Sequence, residues 1–245
     1  MAEAAFAQRR VVVTGAARGL GQALAICLAD LGADLVLCAR SAEGLERSRT
    51  VIRDRTGKTS ETHLLDLSDP TAIEAACRAV LEQDDSVDVL VNNAAFWLPG
   101  TVAVASTEDI VQTVASTVTG TILMTKGLLP GLRRSDAADV VNVVSLAGLP
   151  GAYRGEASAA FHAAKHGQSG FGEVLRRELK AEGIRVLAIY PPDFDDVSPL
   201  DPAWKETPSR PAGATMTNRE VVECLLFALA RPRVCSVSAL VLENG

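Results

Sequence analysis

The sequence predicts an α/β protein in which a parallel, doubly wound sheet of seven strands lies between two layers of helices. Short apolar runs read as nearly continuous Val, Leu and Ile, which is typical of strands covered on both faces. Amphipathic or Ala-rich segments separate these runs, and this alternation is the pattern of a doubly wound sheet. The predicted strands are residues 10–14, 34–39, 63–66, 87–92, 140–145, 185–190 and 239–242.

Length and composition are consistent with one domain, residues 1–245. The 245 residues fall in the range of about 200–250 that single domains of this class reach. Hydrophobic residues make up 48% of the chain and charged residues 22%, so a large core can form. The net charge of -6 argues against a nucleic acid or an anionic membrane as partner. The chain shows neither a signal peptide nor a long apolar run, so we expect a cytoplasmic protein.

The segments between the strands predict helices over residues 21–31, 70–81, 106–132 and 157–181. Residues 191–218 are irregular and rich in Pro, Asp, Ser and Thr. They follow the sixth strand, at the sheet edge where open α/β sheets bind ligands, and we predict a substrate loop or lid there. The five cysteines are scattered singly and predict neither a disulfide framework nor a metal site.

A glycine-rich turn follows the first predicted strand directly, with the sequence TGAARGLG over residues 14–21. Glycine lets the backbone turn tightly and approach a phosphate closely. The helix that follows directs unpaired N–H groups and the positive end of its dipole at an anion. Because the turn joins a strand to a helix near the N-terminus, it predicts a pyrophosphate site. The residues expected to contact it are Gly15, Ala17, Arg18 and Leu20.

The spacing TGxxxGxG resembles the short-chain dehydrogenase/reductase family, and the resemblance continues along nearly the whole chain. It implies a Rossmann-type fold, a nicotinamide cofactor, and dimers or tetramers formed through two long helices, either with further copies of this chain or with a homologue. Asn93 and Ala94 lie in NNAA, which resembles the family's NNAG, and Pro191 opens a PPD that replaces its Pro-Gly. The other positions that match cofactor-binding or catalytic residues of the family are Asp66, Leu67, Ser145 and Lys165.

The end of the second strand predicts which cofactor is bound. An NAD-binding protein carries a carboxylate there for the ribose 2′-hydroxyl, but Ala39 stands at this position. Arg40 follows, and Arg18 lies in the glycine turn. Two guanidinium groups can bracket a 2′-phosphate through their forked donors. We therefore predict NADP(H).

The catalytic residues that the resemblance implies are incomplete. The family has a tyrosine four residues before its lysine, and here that position is Phe161, which has no proton to transfer. The family's asparagine in the fourth helix is replaced by Thr117. A positioned general acid contributes about 10²–10⁴-fold in rate, so its loss is a severe handicap without proving inactivity.

Several sources could replace the lost proton. Tyr153 could reach the substrate from a folded-over loop, Ser158 could hold a water, or the substrate or bound water could supply the proton. His162 lies about 100° around the helix from Phe161 and is expected to face elsewhere. One hypothesis is an NADPH-dependent ketoreductase acting on a secondary-metabolite, sugar or lipid-like carbonyl. The alternatives are a non-catalytic NADP(H)-binding partner, a sensor, or an engineered replacement of the tyrosine.

Overall fold

The computed structural model describes residues 5–152, 156–206, 209–211 and 213–245. These residues form a parallel sheet with the strand order β3-β2-β1-β4-β5-β6-β7, flanked by helices on both faces. The predicted fold class is therefore confirmed. The strands are β1 (Arg10–Thr14), β2 (Asp34–Ala39), β3 (Glu61–Leu64), β4 (Val89–Asn92), β5 (Asp139–Val143), β6 (Arg185–Tyr190) and β7 (Ala239–Val241).

Several strand boundaries differ from the prediction. β3 begins at Glu61 and ends at Leu64, whereas residues 63–66 were predicted. Glu61 can open this edge strand because its carboxylate pairs with the Arg10 guanidinium at 2.7 Å. β5 ends at Val143, two residues before Ser145, so Ser145 lies on the connection after the strand instead of inside it. β4 begins at Val89, two residues later than predicted.

The helices match the predicted segments, with ends set by local caps. Ser158 caps the predicted helix 157–181, which therefore begins at Ala159, and its Oγ accepts a hydrogen bond from Phe161 N at 3.1 Å. Ser41 caps the helix after β2 in the same way. The helices are α1 (Gly19–Asp30), α2 (Ala42–Thr56), α3 (Pro70–Gln83), α4 (Thr107–Val114), α5 (Gly120–Leu132), α6 (Ala159–Glu178), α7 (Pro202–Glu206) and α8 (Asn218–Leu229).

Alternate side chains of the central strands enter two separate apolar layers. Val11 and Val13 of β1 pack with α1 and α8 on one face, while Val12 packs with α3 and α5 on the other. All three valines are fully buried. This burial on both faces explains why the strands read as continuous apolar runs.

The amino-terminal edge of the sheet is held together by a buried carboxylate. Asp139 opens β5, and its side chain is 3% exposed. Its oxygens pair with Arg9 at 2.9 Å, Arg185 at 2.6 Å and Arg233 at 2.8 Å. Burial raises the pKa of Asp139, but hydrogen bonds and charge from Arg185 and Arg9 outweigh this effect and lower it. The cluster lies opposite the edge where the functional site is predicted.

The predicted lid, residues 191–218, is irregular except for the short helix α7 and the first residue of α8. Residues 207, 208 and 212 of this segment lie outside the described residues. Asp195 N donates to Met216 O at 2.9 Å, and Asn218 N donates to Asp195 O at 3.0 Å, so the two ends of the segment are joined. Within the described ranges, no helix has the length and apolar character needed to cross a membrane.

Candidate active site

The glycine turn is shaped for close approach of backbone groups. Gly15 has a φ of +72°, which favours glycine. At Gly21 an added Cβ would lie 2.3 Å from Gly15 O, so no side chain fits where α1 packs on the turn. The residue before α1, Arg18, makes no side-chain capping bond, so the first backbone N–H groups of α1 are available to an anion such as a pyrophosphate.

A hydrogen-bonded clamp joins this turn to the end of β4. Thr14 Oγ1 accepts from Asn93 N at 3.0 Å and from Ala94 N at 3.1 Å. Asn93 Nδ2 donates to Thr14 O at 2.9 Å, and Thr14 Oγ1 itself donates to Val91 O at 3.2 Å. The two segments predicted to bind the cofactor from different parts of the sequence are thus fixed against each other.

A cleft of about 730 Å³ opens along the carboxyl edge of β1, β2 and β4. This volume is large enough to hold one of the two nucleotides of a dinucleotide cofactor. Nine of the predicted cofactor-binding residues line it, whereas Pro191, Ser145, Phe161 and Lys165 do not. The nine are Gly15, Ala17, Arg18, Leu20, Arg40, Asp66, Leu67, Asn93 and Ala94.

One end of the cleft is basic. Arg18 and Arg40 line it, as predicted for a 2′-phosphate site, and Arg47 of α2 joins them. The sequence reasoning missed Arg47, although its place on the helix that follows Arg40 was a usable signal. Arg47 Nη1 contacts Glu43 Oε1 at 2.5 Å in an exposed pair. Exposed pairs of this kind contribute little, so Arg47 can turn towards an anion at small cost.

Asp196 of the lid was also missed, and it brings a negative charge to the same cleft. An added Cβ on Gly19 would lie 3.0 Å from Asp196 Oδ2, so the carboxylate sits against the amino terminus of α1. Partial burial raises the pKa of Asp196, and the positive charge of Arg18 opposes this rise. Asn218 Nδ2 lies 3.4 Å from Asp196 Oδ1. A carboxylate therefore lies beside the predicted pyrophosphate site.

Ser145 and Pro191 are neighbours at the ends of β5 and β6. Leu146 N donates to Pro191 O at 3.0 Å, and Ser145 Oγ accepts from Ala147 N at 3.1 Å. Ser145 is half-buried, so its hydroxyl is accessible for a further contact. The hydroxyl can still donate, because the bond to Ala147 uses it only as an acceptor.

Lys165 lies deep beside Ser145, on α6. Its side chain reaches the end of β5, where Nζ donates to Val143 O at 2.9 Å. Burial lowers the pKa of Lys165 from 10.5 to about 7. Gly148, in the turn after Ser145, packs directly on α6, since an added Cβ there would lie 2.8 Å from Lys165 O. Lys165 therefore lies against the end of β5 and the turn that follows Ser145, and the catalytic roles of these two residues stay a prediction.

Phe161 stands one turn before Lys165 and is buried in a small apolar cluster with Ala147 and Ala157. Its ring packs edge-to-face against Trp97, with ring centroids 4.7 Å apart and planes at 77°. Trp97 is 46% exposed and comes from the segment after β4. An apolar wall therefore occupies the position where a phenol is expected, and no hydroxyl is supplied by this residue.

Thr117 is fully buried, and its Oγ1 is without a hydrogen-bond partner among the described residues. It lies in a π-helical segment, Ala115–Thr119, between α4 and α5. Such segments are frequently found at functional sites. The sequence predicted a continuous helix over 106–132 and carried no signal for this irregularity.

The predicted substitutes for the phenol have different outcomes. Tyr153 lies outside the described residues. The Ser158 Oγ accepts a hydrogen bond from Phe161 N as the helix cap, and its suggested role in holding a water stays a prediction. His162 is partly buried, and its carbonyl contacts the ring of His166 at 2.9 Å.

The chain belongs to the short chain dehydrogenase family, whose sequence profile matches residues 9–207. The family prediction is therefore confirmed. The chain is 28% identical over 239 residues to the 3-oxoacyl-acyl-carrier-protein reductase FabG of Vibrio cholerae, and the match covers 96% of this chain and 95% of that one. It is 34% identical over 189 residues to the dehydrogenase/reductase SDR family member 7B of Bos taurus. That match covers 74% of this chain and 56% of the bovine protein.

The fold of this chain is also similar to the solved structures of known oxidoreductases. A metagenomic short-chain oxidoreductase in complex with NADP superposes with a TM-score of 0.81 at 25% identity, covering 98% of this chain and 99% of that one. Levodione reductase superposes with a TM-score of 0.82 at 26% identity, covering 98% of each chain. The prediction of an NADP(H)-dependent oxidoreductase agrees with these comparisons.

Proposed function

We propose that this protein is an NADPH-dependent reductase of small-molecule carbonyls that works without the phenol of its family. The observation that carries this proposal is a cleft with a bare glycine turn and a basic end, at the same carboxyl edge of the sheet where β5 leads into Ser145 and Lys165 Nζ bonds to Val143 O. The bound cofactor supplies hydride to a carbonyl carbon. The substrate class that we propose is a secondary-metabolite, sugar or lipid-like ketone.

Each part of the site has a defined task in this proposal. The backbone of the glycine turn and the start of α1 hold the pyrophosphate, and Arg18, Arg40 and Arg47 hold the 2′-phosphate. Ser145 donates a hydrogen bond to the carbonyl oxygen and polarises it. Lys165 is the cationic group at the end of β5. The apolar wall of Trp97 and Phe161 excludes bulk water from one side.

Cofactor binding is the first test. Calorimetry with NADPH and NADH should show NADPH binding more tightly, and Arg40→Ala should reduce this preference at least tenfold. Arg78→Ala serves as the control because this arginine of α3 is not among the residues that line the cleft. Equal affinity for both cofactors would overturn the assignment.

Turnover is the second test. NADPH oxidation should be followed with ethyl acetoacetate, phenanthrenequinone and D-fructose, which represent lipid-like, aromatic and sugar ketones. Ser145→Ala should lower kcat about 10²-fold, since a polarising donor is lost. Ser86→Ala, at the opposite edge of the sheet just before β4, should leave kcat unchanged. A Ser145→Ala enzyme with full activity contradicts the proposal.

A second function has one specific observation in its favour, namely the tight apolar packing of Phe161. In this alternative the protein binds NADP(H) without turnover, as a partner subunit or a sensor. Phe161→Tyr distinguishes the cases. A gain of about 10²–10⁴-fold in kcat indicates an ordinary site from which a tyrosine was removed, and no turnover before or after the change supports the partner or sensor.

We also propose a homodimer or homotetramer. The helices of residues 107–132 and α6 carry exposed Val111, Val114, Ile122 and Val174, which form a surface suited to self-association. Light scattering should give a mass of two or four chains, and Ile122→Glu should shift it to one. A monomeric wild-type protein would disprove this.

A further inference from the structure

Lys165 has a buried partner that neither the predicted nor the proposed role of the lysine requires. Gln168 lies one turn after Lys165 on α6 and is fully buried. Its Oε1 accepts a hydrogen bond from Lys165 Nζ at 3.0 Å. Burying an amide is costly unless it is hydrogen-bonded, so a glutamine at this position needs a structural or chemical reason.

The orientation of the Gln168 amide is fixed from its other end. Gln168 Nε2 lies 3.3 Å from Thr121 Oγ1, at the start of α5. Thr121 is also buried. Because an ammonium has only donors, the amide oxygen must face Lys165 and the amide nitrogen must face Thr121. Thr121, Gln168 and Lys165 are therefore joined by two buried hydrogen bonds in series, and in each bond the donor and the acceptor are defined.

The ammonium of Lys165 faces the place where the phenol is missing. Lys165 Nζ lies 5.8 Å from the centroid of the Phe161 ring, within the range of a cation–π contact. Val143 O and Gln168 Oε1 take two of its three N–H groups. Neither of these bonds uses the third N–H group, and we assign it to a water beside the Phe161 ring.

We propose that Gln168 is a positioning residue which holds Lys165 as the proton donor of the reaction. This inference rests on the proposed reductase function. As the substrate carbon accepts the hydride, the substrate oxygen takes a proton from the Lys165 ammonium through one water. The lysine is left as a neutral amine and regains a proton from solvent.

The electrostatic surroundings suit this role. Burial is the sole cause that lowers the pKa of Lys165 to about 7, and no charged group of the described residues adds to the shift. The packed elements offer only uncharged groups, namely Val143 O from β5, Thr121 from α5 and the Phe161 ring. The titratable neighbours on α6 are His162 and His166. A pKa near neutrality is the best value for a general acid.

The test begins with the lysine itself, without substrate. Protein carrying ¹³C at the lysine ε position is titrated by NMR, with and without NADP⁺, and Lys165→Arg assigns the Lys165 signal. We expect this signal to titrate near 7, because burial lowers the pKa of Lys165 to about 7. Gln168→Glu should raise that pKa by about one unit or more, and Gln168→Met should lower it. Gln83→Met, an exposed change on α3, is the control.

The second readout is the pH dependence of kcat for ketone reduction with the same panel of substrates. Reduction needs the ammonium, so kcat should be constant below the pKa of Lys165 and fall tenfold per pH unit above it. Gln168→Glu should move this falling limb to higher pH by the shift that NMR measures. A merely structural glutamine would change stability and leave the limb in place.

Each outcome decides one point. If Gln168→Glu shifts the pKa of Lys165 measured by NMR and the falling limb of kcat by the same amount, the proposal is supported. A kinetic limb that stays fixed while the NMR pKa moves overturns Lys165 as the donor, and an NMR pKa that does not move overturns the role of Gln168. If NADPH fails to bind or no ketone is reduced by any variant, the proposed function fails, while the NMR titration still decides the positioning role.

Discussion

Replacing Lys165 with methionine should stabilise the folded protein at neutral pH, although the change removes a group proposed for function. Burial lowers the pKa of Lys165 from 10.5 to about 7. A difference of about 3.5 units corresponds to about 5 kcal/mol of unfavourable free energy for the charged form. Methionine has a similar length and no charge, so it avoids this penalty.

Part of the gain is offset by lost hydrogen bonds. Without the ammonium, Val143 O and Gln168 Oε1 lose a buried partner, at about 1–3 kcal/mol each. We therefore expect Lys165→Met to raise the free energy of unfolding by at most about 3 kcal/mol at pH 7. Proteins often retain such unfavourable groups where function needs them.

The effect has a defined dependence on pH. Between pH 7 and 10.5 the unfolded chain binds more protons at this lysine than the folded chain, so wild-type stability rises with pH. Below pH 7 the penalty is fully present, and above pH 10.5 it is absent. The advantage of Lys165→Met should therefore be largest at pH 7 and below, and it should disappear by about pH 10.

Urea unfolding at several pH values between 6 and 10 measures this difference. Lys126→Met is the matched control, because Lys126 is an exposed lysine of α5. Its stability difference should be small and independent of pH. An advantage of Lys165→Met that does not change with pH would refute the assignment of a strongly lowered pKa to Lys165.

Three further changes test other parts of the structure. Asp139→Asn should lower the free energy of unfolding by about 3–5 kcal/mol at pH 7, because the arginines around the carboxylate lose their partner. Since the pKa of Asp139 is lowered, the difference measured by urea unfolding should shrink as the pH falls through that pKa. A difference that stays constant with pH would contradict this. Asp196→Asn should tighten NADPH binding about threefold to tenfold at low salt, with Asp195→Asn as the calorimetric control, and weaker binding would show that the carboxylate assists the cofactor. Gly21→Ala should abolish measurable NADPH binding and lower the melting temperature, since its Cβ would meet Gly15 O at 2.3 Å; unchanged calorimetry would show that the turn can relax.

The sequence predicted those features that depend on local patterns. Continuous apolar runs gave the strands, and the glycine turn with its neighbouring strand ends gave nine residues that line the cleft. Spacing along one helix also placed Phe161 one turn before Lys165.

Contacts between distant segments were beyond the sequence. Nothing in the pattern indicates that Asp196 folds back against Gly19, or that Gln168 points inwards to an ammonium. A glutamine on a helix is usually exposed, and only the packing of α6 on its neighbour makes this one buried. The end of β5 before Ser145 depends on pairing with β6, which is equally a long-range contact.

The π-helical segment Ala115–Thr119 makes the two halves of a long helix independent in orientation. Each residue of an α-helix turns the chain by about 100°, so removing one residue from this segment would restore regular winding and rotate one half against the other. The exposed side chains of Val111 and Val114 would then turn by about 100° relative to that of Ile122. A single-residue deletion here could therefore rewrite the outer surface of the protein while every strand of the sheet stays in register.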